Sequence, residues 1–266
     1  MPVIGGKTGE KVRVLHVLPS GSGAAYFKGL ARHFDRVRFA WDFLTLEGEE
    51  RELEELGVET RGLAAGRGAS GVLRAGFRLR RLLDREGYHI VHLHLFPSLV
   101  AGGLARLAGS KPLFVASHHY GRETFLYRGN FAAQWAERAF CRRMDHLIAV
   151  SRDIEDYLRD EIGIPPERMS LIHYGFDFDE LPPGDRRVSS NGSFVVGSVA
   201  RLHWTKGQEY LLRAVARLKH EDGVHTELLL LGTGPEESVL KARARELGIE
   251  SEVSFLGHVS DPFAYY

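Results

Sequence analysis

Gly197-Ser198-Val199-Ala200-Arg201-Leu202-His203-Trp204-Thr205-Lys206-Gly207 sets two cations between an apolar run, Phe194 to Val199, and a segment from Gln208 whose apolar residues recur at helical spacing. The order strand, loop, helix brings Arg201 and Lys206 to the carboxyl end of a strand, where open α/β sheets bind ligands. Arginine grips two phosphate oxygens in a planar fork and lysine adds a compact charge, so the pair suits a nucleotide diphosphate, including one that departs as a leaving group. Glycine turns after other apolar runs, Gly21-Ser22-Gly23 and Gly232-Thr233-Gly234, would let backbone approach a phosphate or a sugar hydroxyl. Histidines cluster as His92 and His94, two apart and so on one face of a strand, and as His118 and His119 at the end of the next. No HExxH or CxxC supplies further metal ligands, so these are expected to be structural or substrate-binding imidazoles, with no metal.

The elements that must position these residues alternate. Val12 to Leu18 is a near-continuous apolar run, as in a strand buried on both faces of a parallel sheet. A helix at about 24–33, a strand at 39–46, a short charged helix at 49–56 and a strand at 58–63 follow. After a glycine-rich loop at 64–71 come a basic helix at about 72–85, the strand Ile90 to Leu95, a helix at 99–108 and the strand Leu113 to Ser117. A long helix within 130–143, the strand His146 to Val150, a helix capped by Ser151 and a short strand from Met169 complete the first run. Leu181-Pro182-Pro183-Gly184-Asp185 and the polar residues to Gly192 break the pattern, which places a boundary between domains 1–185 and 186–266. The rhythm then restarts with strands at 194–199, 227–231 and 253–256 and helices at 208–219 and 236–247. The fold class is therefore α/β, with two Rossmann-like doubly wound domains, the second incomplete at three strands. A sheet ending there would keep an open edge, so the sequence reads as the N-terminal part of a longer protein.

Composition narrows the functions. Lysine plus arginine equals aspartate plus glutamate at 35 each, which gives no global field for nucleic acid. One cysteine, Cys141, excludes an internal disulfide and a thiolate metal cluster and fits a cytoplasmic protein. No apolar run reaches the length of a membrane span. Arg74, Arg78, Arg81 and Arg85 recur at helical spacing with Leu73, Phe77, Leu79, Leu82 and Leu83 as the apolar positions. That helix could touch the inner membrane face peripherally, but a solvated crossover helix is the plainer expectation. A dinucleotide site fails at Tyr26, which stands where a third glycine is needed, although Asp42 lies at a plausible distance for a ribose. A serine hydrolase fails for lack of G-x-S-x-G.

Together the segments Asp145 to Ser151, Ile172 to Asp177, Gly197 to Leu202 with Lys206-Gly207, Leu230 to Pro235 and Val253 to Gly257 resemble glycosyltransferase family 4, retaining enzymes of GT-B architecture. The resemblance runs from Val12 to Phe263. It implies transfer of a sugar from a nucleotide diphosphate sugar (UDP or GDP sugar) to a glycan or lipid-linked acceptor, with retention and without a cofactor or obligatory metal. By motif match, Arg201 and Lys206 would hold the donor diphosphate, while Gly257 and His258 would lie against the nucleobase. Gly21, Ser22 and Gly23 would lie near the donor phosphates, with Gly232 and Gly234 as a second phosphate loop. His118 would stand beside the reacting centre, a role His119 could also take, and His94 and His119 would face the acceptor. The family has two adjacent glycines in the first loop, where this chain has Gly21-Ser22. Its paired glutamates seven residues apart belong downstream of Tyr266. A non-catalytic nucleotide or sugar binding fragment and a sugar-nucleotide epimerase of the same architecture are the alternatives.

Overall fold

In the computed structural model, the described residues are 10–19, 24–48, 60–66, 68–120, 130–175, 194–259 and 262–265. The chain divides into two compact units, Met1–Phe176 and Asp177–Tyr266. The proline-rich break that marks the expected boundary, the expected helix at 49–56 and the turn Gly21-Ser22-Gly23 lie outside the described residues.

The first unit is a seven-stranded parallel sheet of β1 (Val12–Leu18), β2 (Phe39–Thr45), β3 (Thr60–Gly62), β4 (Ile90–His94), β5 (Leu113–His118), β6 (His146–Ala149) and β7 (Met169–Leu171). Their order, β3-β2-β1-β4-β5-β6-β7, reverses direction between β1 and β4. Crevices at the carboxyl ends of strands beside such a reversal are where doubly wound folds bind ligands. The helices are α1 (Ala24–His33), α2 (Gly68–Glu86), α3 (Leu95–Leu107), α4 (Phe131–Cys141) and α5 (Arg152–Tyr157), the last continued by a π-helical turn, Leu158–Ile162. Asn130 Oδ1 accepts from Ala133 N at 3.1 Å and Ser151 Oγ from Ile154 N at 3.3 Å, which start α4 and α5.

Small residues let α3 lie close to its neighbours. A Cβ on Gly102 would meet Leu93 Cδ1 of β4 at 2.3 Å, and one on Gly103 would meet Phe140 Cδ1 of α4 at 2.1 Å. Arg106 of α3 clamps the Asp145 carboxylate with both terminal nitrogens, and Asp145 Oδ2 also accepts from Phe114 N at 2.7 Å. The aspartate that opens the Asp145 to Ser151 segment is thus a tie between α3, β5 and β6. Asp42, at ribose distance in the sequence, is instead bound by Tyr88 Oη at 2.6 Å and faces Arg13 at 3.5 Å.

Two expectations are corrected. The basic helix begins at Gly68, inside the glycine-rich stretch expected to be a loop, and of the five apolar positions expected on it only Leu79 and Leu83 are buried; Leu73 and Phe77 are exposed. Arg74 and Arg78 hydrogen-bond the carbonyls of Ala65 and Ala64, which turns the helix so that its Leu73 and Phe77 stripe faces outward. The helix expected at 99–108 begins at Leu95, directly after His94 and without a connecting loop. Leu95 takes the junction with φ of 64°, a left-handed conformation costly for leucine.

The second unit is a three-stranded parallel sheet, β8 (Phe194–Val199), β9 (Thr226–Leu231) and β10 (Val253–Gly257), in the order β10-β9-β8. Helices α6 (Gln208–His220) and α7 (Glu237–Glu246) cover a core of Leu202, Leu212, Val215, Leu228, Leu230, Leu240 and Ile249. No helix among the described residues is long and apolar enough to cross a membrane.

Candidate functional site

In the second unit all three strands end at one cleft of about 340 Å3, lined by Val199, Ala200, Arg201, Leu231, Gly232, Thr233, His258, Val259 and Pro262. Three loops meet there by backbone hydrogen bonds: Leu202 N to Thr233 O at 3.0 Å, Gly232 N to Gly257 O at 2.6 Å, and Ala200 N to Leu231 O at 3.0 Å. The loops touch so closely that side chains would not fit. A Cβ on Gly232, whose φ is 138°, would stand 2.1 Å from Ala200 O, and one on Gly234 2.0 Å from Leu202 O. Gly232 and Gly234 therefore fix the wall of the cleft by close approach.

Arg201 is exposed on the cleft wall, and its carbonyl accepts from Nε2 of the buried Gln208 at 3.1 Å, so the first turn of α6 sets the backbone that carries it. Lys206 ends a short 3-10 turn, Trp204–Lys206, started by His203, whose ring accepts from Thr205 N. It lies beyond the lining of the cleft, in the turn that leads into α6. Neither cation has an ion-pair partner among the described residues, whereas Arg213, Arg217, Lys241 and Arg243 all do. Two uncommitted cations beside exposed backbone at the ends of three parallel strands form an arrangement that attracts a polyanion. Sequence reasoning found Arg201, Gly232 and His258, which share the cleft; it missed Gln208, which carries no motif.

In the first unit His16 of β1 joins the expected histidines. His16 Nδ1 lies 3.0 Å from His94 Nε2, His94 Nδ1 lies 3.4 Å from His119 Nε2, and His119 Nδ1 bonds the Tyr174 hydroxyl. His92 shares the face, with its ring 4.2 Å from that of His94 and Nε2 2.8 Å from Ser117 Oγ. Tyr26 meets Tyr174 edge to face at 4.9 Å. Burial, the leading cause, holds all four histidines neutral: His92 is lowered to about 3 and His119 to about 4, and His16 and His94 fall well below the usual imidazole value. Burial next to Tyr26 raises Tyr174 to about 12. The ring nitrogens of His16, His92 and His94 lie within 4.8 Å of one another, a spacing a metal ion could bridge. Their hydrogen bonds to one another, to Ser117 and to His119 already use four of these six nitrogens, and the buried His16 Nε2 has no partner among the described residues.

His118 and His119, adjacent at the end of β5, point to different places, as successive strand residues do. His119 turns to His94 and Tyr174. His118 is buried, with Nε2 3.1 Å from Glu137 Oε1 of α4, and Tyr157 Oη donates to Glu137 Oε2 at 2.9 Å. Sequence reasoning missed Glu137, Tyr157, Tyr26 and Tyr174. Glu137 carried a signal nonetheless, as an acidic residue on what periodicity makes the inner face of its helix.

The Glycosyltransferase Family 4 model matches residues 23–180, and the Glycosyl transferases group 1 model matches residues 185–266. The chain is 28% identical over 262 residues to EpsF of Bacillus subtilis (strain 168), provisionally named a glycosyltransferase, and the match covers 92% of this chain and 68% of that protein. It is 30% identical over 187 residues to D-inositol 3-phosphate glycosyltransferase of Rhodococcus jostii (strain RHA1), covering 64% of this chain and 41% of that one. Among solved structures it resembles Anabaena HepE in complex with UDP and glucose, with a TM-score of 0.72 over 96% of this chain and 71% of that chain; at 19% identity the likeness is one of fold. With family models matching both of its units, and with two Rossmann-like sheets of the GT-B kind, the chain belongs to glycosyltransferase family 4.

Proposed function

We propose that the complete protein is a retaining glycosyltransferase that moves a hexosyl group from a UDP or GDP sugar to a hydroxyl of a glycan or lipid-linked acceptor in the cytoplasm. The observation that carries this reading is the cleft at the carboxyl ends of β8, β9 and β10 with Arg201, which has no ion-pair partner among the described residues, on its wall. In the reaction the bond between the anomeric carbon and the diphosphate breaks, both electrons pass to the diphosphate, and the acceptor oxygen takes its place at that carbon as it gives up its proton. Negative charge grows on the leaving group, so Arg201 and Lys206 would bind it more tightly in the transition state than in the bound donor. The nucleobase would lie against His258, Val259 and Pro262. Retention and the place of His118 beside the reacting centre rest on family membership. A UDP complex of a protein of the same fold supports a nucleotide donor here.

Incubating the complete protein with UDP, GDP and ADP sugars and a panel of glycan and lipid-linked acceptors tests this directly. Acceptor-dependent release of the diphosphate, with the donor's anomeric configuration kept in the product and the rate unchanged by a chelator, is expected. Interconversion of donor epimers without acceptor would replace the reading with an epimerase, and nucleotide binding without turnover under all conditions would replace it with a binding module. Loss of activity on chelation, restored by zinc, would make ligands of His16, His92 and His94. A lipid-linked acceptor would bring the protein to a membrane face, and the exposed Leu73 and Phe77 beside Arg81 on α2 support that contact. Salt-sensitive sedimentation with anionic vesicles, weakened by Phe77→Glu, is the corresponding measurement.

A further inference from the structure

Glu137 is the anomaly of the first unit. Carboxylates are almost never fully buried unless paired, yet this one is 2% exposed in the middle of α4. Its surroundings are specific. Oε2 accepts from Tyr157 Oη at 2.9 Å, and Oε1 faces His118 Nε2 at 3.1 Å, with both side chains 3% exposed. The His118 ring lies nearly parallel to Tyr157 at 5.9 Å, and Tyr120 packs beside it at 4.6 Å. Burial, with the negative charge of Glu137 adding to it, pushes the Tyr157 phenol and the Cys141 thiol upward, so both stay neutral. Among the described residues the imidazole is the one side chain positioned to answer the free carboxylate oxygen. The Nε2 and Oε1 atoms are close without hydrogen-bond alignment, and neither has another partner among the described residues, so they form a pair poised to tighten.

We propose that Glu137 is the positioning residue for His118. Tyr157 fixes the carboxylate, the carboxylate draws the Nε2 proton of His118, and the ring is thereby held in one tautomer and one rotation at the end of β5. Imidazole nitrogens diverge, so engaging Nε2 leaves Nδ1 as the nitrogen that can meet a substrate hydroxyl. A buried carboxylate that fixes the tautomer of an imidazole is a recurring arrangement where an imidazole handles a hydroxyl proton. This inference rests on the reading of His118 as a residue beside the reacting centre.

The test uses the complete protein with its donor and acceptor. Glu137→Gln keeps the shape of the side chain and is expected to lower kcat about 10-fold or more while leaving both KM values within about twofold. Tyr157→Phe, which frees the carboxylate, is expected to fall between that variant and the parent. Nitrogen-15 spectra of labelled histidine supply a readout that does not depend on turnover: the parent should show His118 protonated at Nε2, and Glu137→Gln should show a mixture of tautomers. If Glu137→Gln does not fold, the parent spectrum and Tyr157→Phe decide. Parental kcat in Glu137→Gln, or His118 protonated at Nδ1 alone in the parent, overturns the inference. His118→Ala separates the two levels. If it is inactive while Glu137→Gln and its spectrum match the parent, the positioning role fails and the reading stands; if His118→Ala turns over normally, the reading of His118 fails and takes the inference with it.

Discussion

Among the described residues, Arg201 and Lys206 are cations without ion-pair partners in a unit whose other surface cations are largely paired. Exposed pairs contribute little to folding, so truncating these two should leave stability within about 0.5 kcal/mol while removing charge where the leaving group forms. Arg201→Ala is expected to lower kcat about 100-fold and Lys206→Ala to a similar or smaller extent, each with an unchanged melting temperature. Steady-state rates beside a thermal melt measure both, and parental rates in both variants would remove the diphosphate from this loop. Gly232 predicts the reverse pattern. Its missing Cβ is 2.1 Å from a backbone oxygen, which cannot move aside as a side-chain end can, so Gly232→Ala should destabilise the second unit by about 2 kcal/mol and spoil the cleft with it. Nucleotide affinity and denaturation midpoint should fall together in that variant, whereas in Arg201→Ala affinity falls alone.

At the scale of elements, α3 joins sheet and site. It starts without a loop at the strained Leu95, packs Gly102 on Leu93 and Gly103 on Phe140, and is tied to Asp145 by Arg106. The packing that keeps β4 and its histidines in place is therefore tight, and Gly103→Ala should cost about 1–3 kcal/mol, a fall of several degrees in melting temperature. A variant melting with the parent would mean that Phe140 swings clear. The sequence carried much of this arrangement. Largely apolar runs marked β1 and β5 because strands buried on both faces are mostly apolar, and Ser151 marked the start of α5 because a cap needs its hydroxyl. The start of α3 was hidden because Pro97 and the apolar residues Leu95 and Phe96 blurred the change of period from strand to helix. The site was legible in the same uneven way. Arg201, Gly232 and His258 follow strands, so local order places them together, whereas Glu137, Tyr157 and Tyr174 reach the histidines from distant segments and only the folded sheet reveals them.

Across the whole molecule, acidic and basic residues balance, so its response to pH is set by particular buried groups rather than by net charge. The largest such set is the imidazole group of His16, His92, His94 and His119, held neutral by burial against an ordinary value of 6.5. The sign follows from linkage. A histidine whose folded value is depressed binds fewer protons folded than unfolded as soon as pH drops below about 6.5, so its stabilising contribution is complete above that value. The contribution then shrinks as pH falls towards the folded values, about 4 for His119 and about 3 for His92. The fully buried His16 and His94, held well below the ordinary value by the same burial, add to the loss in the same direction. The first unit should therefore lose stability between pH 6.5 and 4, while the second, in which no described histidine is buried, should respond less. Urea midpoints followed separately, by the histidine-flanking Trp41 in the first unit and Trp204 in the second after replacing the other tryptophans, would resolve the two. His94→Gln should flatten the pH slope of the first unit even if it lowers its plateau, because the glutamine cannot take up the proton that the buried imidazole refuses. A first-unit midpoint that stays level from pH 7 to 5 would mean that these histidines take on protons without unfolding, and the neutral cluster would have to be abandoned.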